Sequence, residues 1–408
     1  MSTTLTTLPR NSGSPPATLA TRAEALAAAA AIAPRVRARA RQTEADRLVP
    51  RETIDEMAAA GLFGIITPRV FGGSELGISA LVEVTTELAS ACGSTGWVYG
   101  VLAGHSWLLN LFPVEAQQEI FADPRALTAT VFRLAGKVER VEGGFRLTGG
   151  EGRFCSGVDH ATWIVVGCPV SGAGPPDPHF FVVPRKEFEI IDDWFTAGMR
   201  GTGSRSIRVQ ESFIPQHRAV RVQDMAGGTS PGARFHARPL YRMPFQDVSP
   251  FSLVGAPLGM ARAAVRAFGE SLRASVQKMP EDQVSGQAAT FARLATASAE
   301  IDAAYALALE DAGRLDAAAG PEELGDVTRA RFPRDWAFAA QTARHAVNRV
   351  FEAAGGSGIY DASELQRIWR DVNSAAQHFA FTWDSAMNNY GRVLIGLSAS
   401  AVVPRGGR

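Results

Sequence analysis

The sequence predicts a mainly α protein with a central β domain, and three observations carry that prediction. Apolar residues recur at helical spacing from about residue 21 to 124, change to strand alternation from about 125 to 224, and return to helical spacing from about 225 to 408. The last region consists of long Ala-rich amphipathic stretches of the kind that form a bundle. Strands gathered in one block between blocks of helices give segregated layers rather than an alternating βαβ sheet. A hydrophobic content of 46% over 408 residues is enough to bury a large core.

Residues 1–20 are read as a disordered leader. Arg10, Arg22, Arg35, Arg37, Arg39 and Arg41 precede most of the acids, as in a transit peptide, but the Ala-rich EALAAAAAIAPRVRARARQ runs straight on into further helical sequence. ETIDEMAAAGLFG closes a helix on Gly61, and Gly72 and Gly73 mark a loop before the apolar stretch 78–91 and the helix TGWVYGVLAGHSWLLNLF. ALTATVF, KVERVEGGFRLTGGEGRF, TWIVVGCPV, HFFVVP and SIRVQESFIP read as strands. A Gly- and Pro-rich linker at 224–238 is expected to run over the surface. Long helices follow around 258–272, 287–318 and 327–354, and LQRIWRDVNSAAQHFAFTW at 365–383 reads as one more. On it, His378 would lie one turn beyond Ser374 and two beyond Asp371, with Ala375 leaving room beside the imidazole.

Composition excludes several functions. Lys plus Arg equals Asp plus Glu at 41 each, so no global field recruits nucleic acid or an anionic membrane. Cys92, Cys155 and Cys168 form no CxxC pair, which fits a reducing cytoplasm without a metal or disulfide framework. No apolar run is expected to cross a bilayer. The histidines lack HExxH spacing, and neither GxGxxG after a strand nor GxxxxGK[ST] occurs. ACGSTGW looks like the nucleophile region of papain-like proteases, but Thr95 stands where the second cysteine would be and the context is helical. The expected partners are small molecules and copies of this chain.

Three loops have the composition to hold a planar or phosphorylated ligand. RFCSGVDHATW offers Cys155, Ser156 and Gly157 at a strand end, where the bland reading is a β-turn. AGMRGTGSRSIRV combines Gly198, Gly201 and Gly203 with the donors Arg200, Thr202 and Ser204, as a plain hairpin also could. EAAGGSGIY, with Gly355, Gly356 and Gly358, reads equally as a phosphate cradle or an interhelical turn.

In this order, TGGEGRFCSG, GMRGTGSRS, AAGGSGIY and LQRIWRD resemble the acyl-CoA dehydrogenase superfamily over nearly the whole chain. The resemblance implies an N-terminal helical domain, a β-barrel domain and a C-terminal four-helix bundle that bind flavin in a homotetramer. Phe154, Cys155, Ser156, Arg200, Gly201, Thr202, Gly203 and Ser204 would contact the cofactor. Arg273, Gln287, Gly355 and Gly356 would reach its phosphate-bearing tail across a subunit boundary.

The superfamily's dehydrogenases use a glutamate base. Here the only acid between 379 and 408 is Asp384, and Glu270 lies late in the first bundle helix. GVLAGHSW with His105, RDVNSAAQH with His378, and ACGSTGWV instead resemble the oxygenase components of two-component flavin-dependent monooxygenases that hydroxylate phenols. That branch implies reduced FMN or FAD from a separate NAD(P)H:flavin reductase, with O2 forming a flavin hydroperoxide that attacks an aromatic substrate. Ser156 would hydrogen-bond the flavin's central ring nitrogen and Phe154 would exclude water. His378 would accept the phenolic proton or stabilise the phenolate, and His105 would orient the substrate's ring or hydroxyl, with an interhelical structural histidine as the other reading. Gly152 stands where relatives often carry tryptophan and is expected to enlarge the pocket or alter flavin contacts. Thr128, Thr130 and Val131 compete for the place of a polar substrate contact. Oxygenation of nitrogen or sulfur, a dehydrogenase with a displaced base, and a silent flavin-binding protein are the alternatives.

Overall fold

The computed structural model describes residues 16–172 and 175–399. The leader expected at 1–20 lies outside the described residues up to 15. Its last residues are fixed in place, because Ala17 N–H donates to the Ala59 carbonyl and Leu19 N–H to Ser74 Oγ.

Six helices come first: α1 (Arg22–Ala38), α2 (Ala40–Asp46), α3 (Arg51–Ala59), α4 (Ile78–Ala91), α5 (Gly93–Leu109) and α6 (Val114–Phe121). Thr21 caps α1 by accepting from the Glu24 N–H, while the Glu24 carboxylate reaches back to Ala20 N–H, so two orphan donors are satisfied together. Cys92, in extended conformation, ends α4 and starts α5.

Helix α5 is the centre of the molecule, with every residue buried except Gly104. Gly96, Gly100 and Gly104 recur at helical spacing. A β-carbon on Gly100 would collide with the Ser252 carbonyl, and one on Gly104 would sit 2.5 Å from Ser252 Cβ. Gly100 and Gly104 admit a bundle helix at close range and Gly96 admits Ala89 of α4, and the adjacent face of α5 carries Trp97, Val101 and His105.

The strands form one twisted sheet: β1 (Thr128–Val131), β2 (Ala135–Val141), β3 (Gly144–Cys155), β4 (Trp163–Ser171), β5 (Asp177–Pro184), β6 (Glu189–Ile191), β7 (Arg205–Pro215) and β8 (Ala219–Arg221). The order is β6-β7-β3-β2-β4-β5-β8, and β1 runs parallel to β4 at its side. The long expected strand around KVERVEGGFRLTGGEGRF is a hairpin, turned at Gly143 with φ +77. The short strands β6 and β8 had no sequence signal of their own.

The bundle comprises α7 (Phe245–Val248), α8 (Phe251–Val276), α9 (Glu281–Val284), α10 (Ala288–Ala317), α11 (Asp326–Ala354), α12 (Glu364–Ala375) and α13 (Trp383–Leu394). Three sequence expectations are corrected. The linker 224–238 is partly interior, since Met225 and Gly232 are buried and His236 pairs with Gln117 Oε1 at 2.7 Å. A stretch long and apolar enough to span a bilayer does exist, Phe245–Val276, but its apolar window is 78% buried against the other helices. The segment 365–383 is not one helix. It tightens after Ala375 through i→i−3 bonds at Gln377 and His378, turns extended at His378, and restarts at Trp383.

Overpacking the glycine stripe tests the centre of the fold. Gly100→Val is expected to cost about 1–3 kcal/mol in urea unfolding. Gly286→Ala, with nothing within 4 Å of its added carbon, is expected to stay within about 0.5 kcal/mol of the parent.

Candidate active site

Two strained turns face each other between the sheet and the bundle. At the end of β3, Phe154 and Gly157 take left-handed φ of +65 and +71, which lifts Ser156 out of the strand. Gly157 N–H is held by the Thr202 carbonyl, 3.1 Å away. In the second turn Met199 and Gly203 are left-handed, at φ +55 and +50. Non-glycine residues in this region are costly, and their clustering here marks a site whose geometry the surrounding fold enforces.

The enforcement comes from α12. Asp371 Oδ1 accepts the Met199 N–H at 2.6 Å, and Arg370 donates to the Ala197 carbonyl at 2.9 Å and pairs with Glu44 of α2 at 2.5 Å. Burial pushes the Asp371 carboxyl up to about 6, against the pull of Arg367 and of its backbone bond. The Arg-Asp pair therefore clamps the second turn between the first domain and the bundle.

A chain of hydrogen bonds joins the turns. Trp97 Nε1 lies 3.2 Å from Ser156 Oγ, Ser156 Oγ lies 2.7 Å from Ser204 Oγ, Ser204 Oγ lies 2.7 Å from Thr202 Oγ1, and Thr202 Oγ1 donates to the Met199 carbonyl at 2.8 Å. Ser204 and Thr202 are buried, and Ser156 is partly exposed where the chain emerges.

Both predicted histidines belong to the same region. The His378 ring meets the Trp97 ring edge to face at 5.4 Å and contacts Phe379 and Phe381. Its Nδ1 accepts the Ala380 N–H at 3.2 Å, so in the neutral ring the proton sits on Nε2. His105, two turns beyond Trp97 on α5, has the opposite arrangement. Its Nδ1 is 2.8 Å from the Thr128 carbonyl, which can only accept, and 3.1 Å from Thr130 Oγ1. The proton of neutral His105 therefore sits on Nδ1, and Nε2 presents a lone pair. Burial lowers both imidazoles to about 4, opposed at His105 by the Thr128 bond.

Several expected contacts are corrected. The Cys155 thiol is fully buried beneath β1 and its acidity is suppressed by that burial, so only its backbone can approach a ligand. The Phe154 ring is 68% exposed against Trp194, and in this chain it does not shield Ser156. Gly152 opens no extra space, because Val131 Cγ1 occupies the position its β-carbon would take. Val131 is thereby turned toward β3, and Thr130 is the residue on the His105 side. The contacts expected of Arg273, Gln287, Gly355 and Gly356 are with a neighbouring subunit's cofactor and are not among those corrected; within one chain Gln287 accepts from Thr290 at 3.3 Å and the glycines stand exposed. Sequence reading missed Trp97 as the link between Ser156 and His378, although its spacing of eight from His105 on one helix carried the signal.

The donor set fits a flavin. Arg200 Nε is buried without a hydrogen-bond partner, Arg200 makes no ion pair among the described residues, and Thr128 Oγ1 is likewise buried and unpartnered beside His105. Unmet donors of this kind suit an acceptor-rich ring system and its phosphate. Both carboxylates considered as dehydrogenase bases lie elsewhere: Glu270 pairs with Arg37 at 3.2 Å, and Asp384 is exposed in the first turn of α13.

Comparison with known proteins agrees with this geometry. Residues 20–126 match the model of the acyl-CoA dehydrogenase N-terminal domain, and residues 252–383 match that of an acyl-CoA dehydrogenase C-terminal domain. The chain is 33% identical over 370 residues to the oxygenase component of an FADH2-dependent resorcinol hydroxylase from Rhizobium sp., covering 88% of this chain and 90% of the relative. The crystal structure of the HsaA monooxygenase from M. tuberculosis superposes with a TM-score of 0.85 at 32% identity, covering 93% of this chain and 98% of that one. XiaF from Streptomyces sp., solved with FADH2 and glycerol, superposes with a TM-score of 0.83 at 27% identity over 94% and 97% of the two chains. The chain belongs to the acyl-CoA dehydrogenase superfamily, in its branch of flavin-dependent monooxygenases that serve as oxygenase components of two-component systems.

Proposed function

We propose that this monooxygenase hydroxylates a small phenol-like aromatic compound. The observation that carries the reading is Trp97, which touches Ser156 with its indole nitrogen and His378 with its ring, on the helix face that also bears His105. Reduced flavin, delivered by a separate reductase, supplies the activated oxygen from O2. The protein's part is to hold it, to orient the substrate and to manage one proton.

Ser156 would face the central ring nitrogen of the flavin, with Arg200, Gly201, Thr202, Gly203 and Ser204 forming the turn that would hold it. The tautomers favour His105 as the proton acceptor and, of the two roles expected of His378, the stabilising one. His105 Nε2 accepts the hydroxyl proton of the substrate, while His378 Nε2–H donates to an oxygen. A phenolate forming beside His105 favours its protonated form and offsets the burial that otherwise keeps it neutral. Phe132, which packs against Phe379 at 6.1 Å, lies where an aromatic ring would be enclosed.

The division into domains at 21–124, 125–224 and 225–408 is the organisation we adopt. A homotetramer accounts for Arg273, Gln287, Gly355 and Gly356, which would serve a neighbour's cofactor, and for the exposed Ile359, Tyr360, Ile395 and Leu397. Three free, buried cysteines support a cytoplasmic location.

The direct test supplies reduced flavin and air with phenols and measures hydroxylated product against hydrogen peroxide. Product coupled to flavin oxidation is expected with at least one phenol; coupling only to amines or thiophenes would favour oxygenation of nitrogen or sulfur. His105→Ala is expected to lower kcat/KM for the phenol about 100-fold or more while reduced-flavin affinity holds. Because neutral His105 is the active form and its pKa is about 4, kcat/KM is expected to hold from pH 8 to 5 and fall only as pH approaches 4. An acid limb centred near 6.5 would contradict that assignment. Light scattering is expected to give a mass of about four chains.

A further inference from the structure

Within the hydroxyl chain, every proton has only one place to go. An indole nitrogen can only donate, which fixes one end at Trp97, and a carbonyl can only accept, which fixes the other at Met199. Between them, Ser156, Ser204 and Thr202 supply one proton each for three links of 2.7, 2.7 and 2.8 Å. All three links are made only if Ser156 donates to Ser204, Ser204 to Thr202, and Thr202 to Met199. Any reversal leaves two oxygens in contact with no proton between them, in a place where Ser204 and Thr202 are 5% and 2% exposed. The outward side of Ser156 Oγ therefore carries a lone pair and no hydrogen.

This has a consequence for what Ser156 can bind. Two-electron reduction puts a hydrogen on the central ring nitrogen of a flavin, changing that atom from acceptor to donor. The lone pair of Ser156 matches the reduced ring, and it opposes the oxidised one unless the chain breaks a link. We propose that Ser204 and Thr202, by holding the Ser156 proton inward, make the site selective for reduced over oxidised flavin. The proposal rests on the reading above that Ser156 faces the flavin. It assigns Ser204 and Thr202 as positioning residues, acting through Ser156. The strained Met199, whose carbonyl also accepts from Trp194 Nε1 at 3.0 Å and from Thr202 N–H at 3.2 Å, is the fixed end that sets the direction.

The test is a pair of dissociation constants, for oxidised FMN by fluorescence and for reduced FMN under anaerobic conditions, in the full-length protein. Wild type is expected to bind reduced FMN more tightly. Ser204→Ala frees the Ser156 proton to turn outward, so oxidised FMN is expected to bind about fivefold tighter while the reduced constant changes less than about twofold. The potential of the bound flavin then falls by about 20 mV, from about 30 mV per tenfold for a two-electron couple. Thr202→Val, which keeps the side-chain shape and removes the acceptor for the Ser204 proton, is expected to shift the ratio in the same direction and serves if Ser204→Ala does not fold. Equal weakening of both constants, or an unchanged ratio in a folded variant, overturns the relay. Failure of wild type to bind either reduced FMN or reduced FAD overturns the reading that Ser156 faces a flavin.

Discussion

The close approach of α5 to the bundle is the constraint on which the site depends. Gly100 and Gly104 remove two β-carbons so that Ser252 of α8 lies against the helix backbone, and Gly96 does the same for Ala89 of α4. A buried central helix positions side chains more rigidly than a surface loop does, because each neighbour is fixed by dense packing on several sides. Trp97 and His105 lie one residue on from the first and last of these glycines, on the neighbouring face. Larger residues in the stripe would push that whole face toward the sheet, and the Trp97 contacts with Ser156 and His378 would be the first to suffer.

Around α5, backbone groups decide what the functional side chains can do. The Thr128 carbonyl selects one tautomer of His105, the Ala380 N–H selects the other tautomer of His378, and the Met199 carbonyl orients three hydroxyls. Main-chain partners of this kind are unaffected by pH in the working range, so they set the roles without titrating themselves. The cost is backbone strain at Phe154 and Met199, held in place by Asp371 and Arg370 from the bundle. Asp371 is thus spent on structure. Asp371 holds the Met199 turn, and in the proposed function proton handling would fall to the imidazoles.

Much of this was legible in the sequence because periodicity and loop composition are local signals. The change from helical to strand spacing and back, the turn at Ser156 and the glycine-rich turn at 198–204 all lie within short windows. What escaped depends on tertiary contact. The break after Ala375 was hidden because 365–383 keeps an apolar helical pattern through the point where His378 turns extended to accept from Ala380. The inward burial of Cys155 and the filling of Gly152's space by Val131 are set by how β1 packs beside β3 and β4, which alternation within one strand cannot reveal. Trp97 had the helical spacing of a site residue, but the same spacing is shared by core residues of α5, and only its partners separate the two.

The placement of acids also separates this chain from the dehydrogenases that share its fold. Abstracting a proton from carbon requires a carboxylate poised over the reacting bond, and the three acids weighed for that work are placed otherwise. Glu270 is engaged with Arg37 at the surface, Asp384 opens an exposed helix, and Asp371 is held by a backbone amide. A buried His105 that offers a lone pair and a partly buried His378 that offers a proton are suited instead to moving a proton along an oxygen that is already weakly acidic. On the reading proposed above, that chemistry would act on a hydroxyl of an electron-rich ring, and the packed aromatic side chains of Trp97, Phe132 and Phe379 would be its apolar surroundings. The fold is common to both reactions; in the proposed function the change from carboxylate to imidazole, read at particular positions, would carry the difference.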